Sequence, residues 1–159
     1  LEPQKVIHQV NRSILTDTQR GIFLTLGYGV LDVNKGTFTY VNAGHNPPYL
    51  LRKSDENITI TPLTKTGTLV GIFEENTWET ECVPIQPGEV LVLFTDGITE
   101  AQNKSEDFYG SEQLVTSLKS NFSTNAQAFR NSILEHVQAF TGSAPRLDDI
   151  TLIVISRLE

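Results

Sequence analysis

The chain has 159 residues, 38% of them apolar and 19% charged, with a formal net charge of −7 and a pI near 4.9. That length suits one domain with a real core, and the acidic balance argues against nonspecific nucleic-acid binding and against contact with an anionic membrane surface. The single cysteine, Cys82, excludes an internal disulfide and suits a reducing, cytoplasmic compartment, and neither a signal peptide nor an apolar run near the ~20 residues of a membrane span is visible.

Pro3 to about Thr18 carries Val6, Ile7, Val10 and Ile14 at helical spacing and predicts an amphipathic helix, with Pro3 in its first turn. Ile22 to Val33 is rich in β-branched and aromatic residues and predicts a strand, in which Gly27 and Gly29 suggest a bulge or a close backbone contact. Asn34-Lys35-Gly36 is a turn, and Thr37 to Val41 returns as the second strand of a hairpin. Asn42 to Pro48 is a loop that Pro47 and Pro48 keep from being helical. Tyr49 to Leu51 resumes a strand, Ser54 to Asn57 is a polar turn, and Ile58 to Thr61 a short strand. Thr66 to Glu75 is an irregular connection, and Thr77 to Pro84 alternates weakly as a strand. Gln86-Pro87-Gly88 is a turn of type II character.

The turn feeds Val90 to Phe94, a continuous apolar run expected to be a strand buried on both faces. The run stops at Asp96-Gly97. An ionised carboxylate at the rim of a core is costly unless a cation or hydrogen-bond donors compensate it. Gly97 permits backbone geometry or close approach that a side chain would block. A hard divalent cation would fit; so would an Asp turn bonded to nearby backbone N–H groups. Ile98 to Ala101 is a short helical turn, and Asn103 to Asp107 a polar loop. Ser111 to Ser120 predicts a helix with Leu114, Val115 and Leu118 on one face. Thr124 with Gln127 forms a capping-box pattern that opens a second helix to about Phe140, with Phe129, Ile133, Val137 and Phe140 inward. Asp148-Asp149 then leads into a last apolar strand. Strands first and helices later indicate an α+β domain with mostly antiparallel sheet.

Two strands thus carry acidic residues at an end. If they run antiparallel, Asp96 meets Asp148 and Asp149 at one edge of the sheet. Carboxylates that close repel and raise one another's pKa, and a divalent cation removes the conflict. The alternative for Asp148-Asp149 is a solvated acidic turn. His45, in a loop shaped by glycine and proline, could be a ligand, a proton carrier or a phosphate contact, or could simply bond loop carbonyls. His8 and His136 are expected on helix surfaces, and Cys82 and Trp78 to be structural.

The motifs YVNAGHNPPYLLR, EVLVLFTDGITEA, EDFYGSEQL and DDITLIVI occur in this order. Together they resemble the bacterial metal-dependent protein phosphatases of type 2C (PPM), more narrowly the SpoIIE/RsbU branch. The resemblance runs from about Pro3 to Ile155. It implies a two-sheet antiparallel β-sandwich flanked by helices and a pair of Mn²⁺ or Mg²⁺ ions at one end. It also implies hydrolysis of phosphoserine or phosphothreonine on a protein by a metal-activated water, a mechanism in which two metals ~3.5–4 Å apart serve. By motif, Asp96 and Asp148 would be catalytic metal ligands. Asp149 would be a further ligand where eukaryotic relatives often carry Asn, and Gly97 and His45 would be peripheral. The substrate implied is a phosphorylated bacterial regulator of the anti-sigma-antagonist kind.

The family also carries an N-terminal Gly-Gly-Asp motif that supplies another metal-binding Asp, and nothing before Leu26 resembles it. Residues 1–159 are therefore expected to be the C-terminal part of a single phosphatase domain, weak or inactive alone. The sheet edges left open would be covered by the N-terminal helix, by strand swapping or by a homodimer. Two further readings stand beside this one: a catalytically silent member of the fold that binds a partner protein, and an acidic α+β binding module whose aspartates only cap turns.

Overall fold

Apolar spacing organises the elements that surround the candidate site. In the computed structural model, which describes residues 2–17, 21–55 and 57–158, the elements along the chain are α1 (Pro3–Asp17), β1 (Leu26–Asp32), β2 (Thr37–Ala43), β3 (Tyr49–Ser54), β4 (Asn57–Pro62), β5 (Glu81–Pro84), β6 (Val90–Phe94), α2 (Asp96–Thr99), α3 (Gly110–Ser120), α4 (Ala126–Thr141) and β7 (Leu152–Ser156). Thr18, the expected end of the first helix, and Glu56 in the expected polar turn lie outside the described residues. The chain divides into two units, Leu1–Pro47 with Leu63–Ile85 and Pro48–Pro62 with Gln86–Glu159.

The first unit holds a three-stranded antiparallel sheet in the order β1-β2-β5. Ile7 of α1 is fully buried with Val41, Ala43, Val70 and Trp78, and Val10 and Ile14 pack on the same cluster. The hairpin turn is held by Asp32, whose carboxylate accepts from the amides of Asn34 and Lys35 at 3.1 and 3.0 Å. Such a local side-chain-to-backbone bond is the reason Asp favours turns. Three expectations shift here. β1 begins at Leu26 rather than Ile22, because Ile22 and Phe23 are exposed and only Leu24 pairs, in a single bridge to Val70. β2 runs on through Asn42 and Ala43, which pair with Gly27 and Leu26 instead of opening the loop. β5 is confined to Glu81–Pro84, since Trp78 leaves the ladder to bury its ring and donate Nε1–H to the Thr68 carbonyl at 2.7 Å.

The second unit holds a four-stranded antiparallel sheet in the order β4-β3-β6-β7. β6 is interior, with Val92 opposite Tyr49 on one side and Val154 on the other. That explains its unbroken apolar sequence: Val90, Leu91, Val92 and Phe94 are all buried. Leu114 and Leu118 of α3 and Phe129, Ile133 and Val137 of α4 join Val90, Val92 and Phe94 in one core. Each such side chain contributes on the order of 1.5–3 kcal/mol by leaving water. The turn before β6 has the Glu89 amide donating to the Gln86 carbonyl at 3.0 Å, with Gly88 at φ 81°, as expected of type II. α4 starts one residue later than the Thr124–Gln127 pattern implies: the Asn125 side chain accepts from the Ala128 amide at 3.0 Å, and Thr124 is exposed. Asn is at least as good a helix cap as Thr and here wins the position.

The whole is the mixed α+β arrangement with antiparallel sheets that the sequence implies. Among the described residues, no helix is long and apolar enough to cross a membrane.

Candidate metal centre at the end of the central ladder

β6 and β7 pair antiparallel from Val90 opposite Ser156 to Phe94 opposite Leu152. This register brings the C-terminal end of β6 to the N-terminal end of β7, as the sequence argument required. Asp96 and Asp148-Asp149 therefore arrive at the same end of one ladder.

The joint is fastened beyond the last strand pair. The Thr95 amide donates to the Thr151 carbonyl at 3.1 Å. The Thr95 hydroxyl donates to the Asp149 carbonyl at 3.0 Å and accepts from the Thr151 amide at 3.0 Å. Gly97 is buried against the Asp149–Ile150 peptide: a Cβ there would stand 2.9 Å from the Asp149 carbonyl carbon and closer still to its oxygen. Gly97 thus serves the close approach expected of it. Thr95 is the residue that sequence reasoning missed. Its role depends on the β6–β7 register, and the only local signal is a hydroxyl immediately before the Asp.

The three carboxylates stand differently. Asp96 is the first residue of α2, not a buried strand end, and it is exposed. The desolvation cost expected at a core rim therefore does not arise. Its backbone carbonyl accepts from the Glu100 amide and the Thr99 hydroxyl at 2.7 and 3.2 Å. Among the described residues its carboxylate has no hydrogen bond or ion pair, so the turn-capping alternative has no contact behind it at Asp96. At Asp148, Oδ1 accepts from the Asp149 amide at 2.7 Å. Asp148 and Asp149 are both exposed. Among the described residues, no group of three or more His, Cys, Asp and Glu side chains gathers closely enough to hold a metal ion. The strand ends meet, but the carboxylates do not close on one point.

His45 belongs to the first unit. Its amide donates to the Asn42 side chain at 2.8 Å, and its Nδ1 lies 3.2 Å from the Thr25 hydroxyl. His8 and His136 are exposed on their helices, although His136 Nδ1 lies 2.9 Å from the buried Tyr109 hydroxyl. Cys82 is exposed on β5 rather than packed inside.

The donors at the ladder end are exposed aspartate oxygens that make no ion pair with Lys, Arg or His among the described residues. This is the ligand type that Mg²⁺ and Mn²⁺ take, and both ions bind through few carboxylates with water completing the shell. In that chemical sense the residues fit a divalent cation, without a preformed cage.

A family model described as Stage II sporulation protein E (SpoIIE) matches residues 1–158. Protein IcfG of Synechocystis sp. is 35% identical over 136 residues, covering 86% of this chain and 21% of that protein. Phosphoserine phosphatase RsbU of Bacillus subtilis is 26% identical over 157 residues, covering 99% of this chain and 46% of that protein. The chain therefore spans less than half the length of either relative. Among solved structures, the SiaA-PP2C domain of Pseudomonas aeruginosa superposes with a TM-score of 0.78 at 20% identity, over 99% of this chain and 61% of that one. At that identity the likeness shows the fold.

Proposed function

Because this chain belongs to the SpoIIE family and has a PP2C-type phosphatase fold, we propose that it forms part of a single phosphatase domain removing phosphate from serine or threonine of a regulatory protein. Asp96 and Asp148 would hold Mn²⁺ or Mg²⁺, with Asp149 beside them. The observation that carries this reading is the clasped ladder end, where Thr95 hydrogen-bonds the Asp149–Thr151 backbone and Gly97 packs against it, while the exposed Asp96 carboxylate has no hydrogen bond or ion pair among the described residues. A divalent cation bound there would activate a water and neutralise phosphoryl oxygens. The chain's own part is to bring the two strand ends that carry the carboxylates together and to leave the carboxylates open to a substrate as large as a protein. RsbU, a relative over nearly the whole chain, is named a phosphoserine phosphatase, which supports phosphoserine as the ester. A phosphorylated anti-sigma-antagonist is the substrate kind we propose. His45 and Gly97 are assigned no chemical step.

The full-length protein should hydrolyse p-nitrophenyl phosphate and a phosphoserine peptide in Mn²⁺ and not in chelator. Asp96→Ala and Asp148→Ala should each lower kcat/KM by about 100-fold or more, as loss of a group that acts only as part of a unit does. Full activity of either variant would overturn the assignment of that residue.

One observation favours the second reading, a silent module that binds a partner: Asp148 already accepts from its own neighbour, and no group of three ligands is gathered among the described residues. Mn²⁺ titration of the full-length protein separates the two, since a silent module would take up no metal at any concentration that supports turnover in active phosphatases. We further propose a homodimer formed through a sheet edge. β1 and β5 in one sheet, and β4 and β7 in the other, are outer strands among the described residues. Light scattering that finds only monomer would remove that proposal.

A further inference from the structure

A groove of about 630 Å³ in the second unit is walled by residues just past α2, by α4 and by the segment that leads into β7. Two large apolar side chains on it are left in water, Phe108 at 57% exposure and Leu147 at 65%. The loop that carries Phe108 is tied by its own bonds. The Asn103 side chain accepts from the Ser105 and Asp107 amides at 2.9 and 3.0 Å and donates to the Asp107 carboxylate at 3.1 Å. An exposed aromatic and an exposed aliphatic side chain around one concavity are the kind of surface that a protein partner covers.

Charge decides the kind of partner. The ionisable residues of the lining are Glu100, Asp148 and Arg146, so its balance is negative. Glu100 is exposed, and its carboxylate has no hydrogen bond or ion pair among the described residues. The surroundings deepen that balance. Asp96, Asp107 and Asp149 each adjoin a lining residue in the chain, and all three are exposed. The chain as a whole carries a formal charge of −7. An acidic groove on an acidic protein repels carboxylates and phosphates and attracts ammonium and guanidinium groups.

We propose that this groove docks an extended segment of a partner protein in which Lys or Arg stands next to a large apolar residue. The apolar side chain packs on Phe108 and Leu147, and the cation lies by Glu100. Arg146 disfavours a second cation on its own part of the wall, so one basic residue suits the site better than a basic run. The docking is a matter of binding alone and holds whether or not the protein turns over a phosphate ester.

The test uses fluorescein-labelled, unphosphorylated peptides that pair Leu with Lys, Leu with Glu or Ser with Lys in an otherwise uncharged sequence. Binding to the full-length protein is measured by anisotropy in chelator. At low salt the Leu/Lys peptide should bind about tenfold tighter than the Leu/Glu peptide, and the preference should shrink as salt rises. Glu100→Lys turns the lining from net negative to net positive and should abolish or reverse that order. The double variant Phe108→Ser with Leu147→Ser should lose the advantage of Leu/Lys over Ser/Lys. The three positions are exposed, and the order of two peptides on one variant is independent of its active fraction. An order that survives Glu100→Lys would put the binding elsewhere on the acidic surface and overturn the proposal. Tighter binding of the Leu/Glu peptide, or no binding of any peptide, would overturn it as well. Sedimentation of the same proteins tests the other occupant: a dimer that the double variant dissociates would mean that a second copy of the chain covers the groove, against the proposal.

Discussion

The two ends of β6 carry a carboxylate each and treat it in opposite ways. Glu89, just before the strand, is 3% exposed. It is ion-paired to Arg52 Nε, and its other oxygen accepts from the Gln86 amide at 2.9 Å. Backbone bonds between Gly88, Glu89 and Arg157 close that end further, at 2.7 and 3.0 Å. Asp96, just past the other end, is exposed, and only its backbone is engaged. A buried carboxylate has to be compensated within the protein, because an isolated charge out of water is costly. An exposed one need not be, and its lone pairs stay available. The contrast separates a carboxylate that holds the fold from one that is free to hold a ligand, on a single strand five residues long.

The sharpest way to break this comparison is at the closed end. Arg52→Ala would leave the buried Glu89 carboxylate without its ion-pair partner, while the Gln86 amide still donates to it. Removing one member of a buried pair costs ~3–5 kcal/mol, and the partial exposure of Arg52 puts the expected loss at about 3 kcal/mol. Glu89→Gln should cost only about 1 kcal/mol, because Arg52 returns to water and the amide can still bond the turn. Urea melts give both values. The reverse order would mean that Glu89 is not desolvated in solution and that the two ends are alike.

At the open end the backbone, not the carboxylate, should carry the stability. Gly97→Ala drives a methyl into the Asp149 peptide. Backbone cannot yield as a flexible side chain does, so about 2 kcal/mol should be lost, within the range for overpacking. Mn²⁺ affinity, read by calorimetry, should fall with it, since the strand ends that carry the aspartates are pushed apart. An Ala variant of wild-type stability would show that the close approach is not maintained in solution.

How far the site could be read beforehand follows from what each residue depends on. β6 was legible because burial on both faces leaves an uninterrupted apolar run. The meeting of Asp96 with Asp148-Asp149 was legible because antiparallel pairing of that run with the last strand admits only one arrangement of ends. The exposure of Asp96 was not: the residue looks like a strand terminus and is instead the start of a helical turn. Thr95 was invisible because both partners of its hydroxyl lie more than fifty positions away, at Asp149 and Thr151. The Arg52–Glu89 pair escaped for the same reason, since it needs the β3–β6 register. The start of α4 was misplaced because Thr124 and Asn125 are both good caps and only the fold chooses between them.

Thr95 offers a smaller and more local test of the same contrast. Thr95→Val keeps the shape and removes the hydroxyl that serves Asp149 and the Thr151 amide. About 1–2 kcal/mol should be lost, the cost of an unmatched donor in a partly buried place. Thr95→Ser should recover most of it. Equal melts for the Val and Ser variants would show that the strand pairing alone holds the ladder end.

The smallest effect is the most diagnostic, because its sign should depend on metal. In chelator, Asp96→Asn removes one of three exposed negative charges near the same ladder end and breaks no side-chain hydrogen bond or ion pair among the described residues. Exposed charges interact weakly and are screened, so the variant should be more stable by about 0.5 kcal/mol at low salt, and the gain should shrink as ionic strength rises. In Mn²⁺ the order should invert. A ligand that binds only the folded state stabilises it by RT ln(1 + [L]/Kd), about 2.7 kcal/mol when [L] is 100 times Kd. The wild type should gain that increment in the full-length protein, and the variant should gain much less, having lost a metal-binding oxygen. Glu89→Gln should show no such inversion, because its partner is Arg52 under every condition. If Asp96→Asn destabilises the protein in chelator, then Asp96 is structural in the same sense as Glu89, and the open end of β6 is not a place kept for a cation.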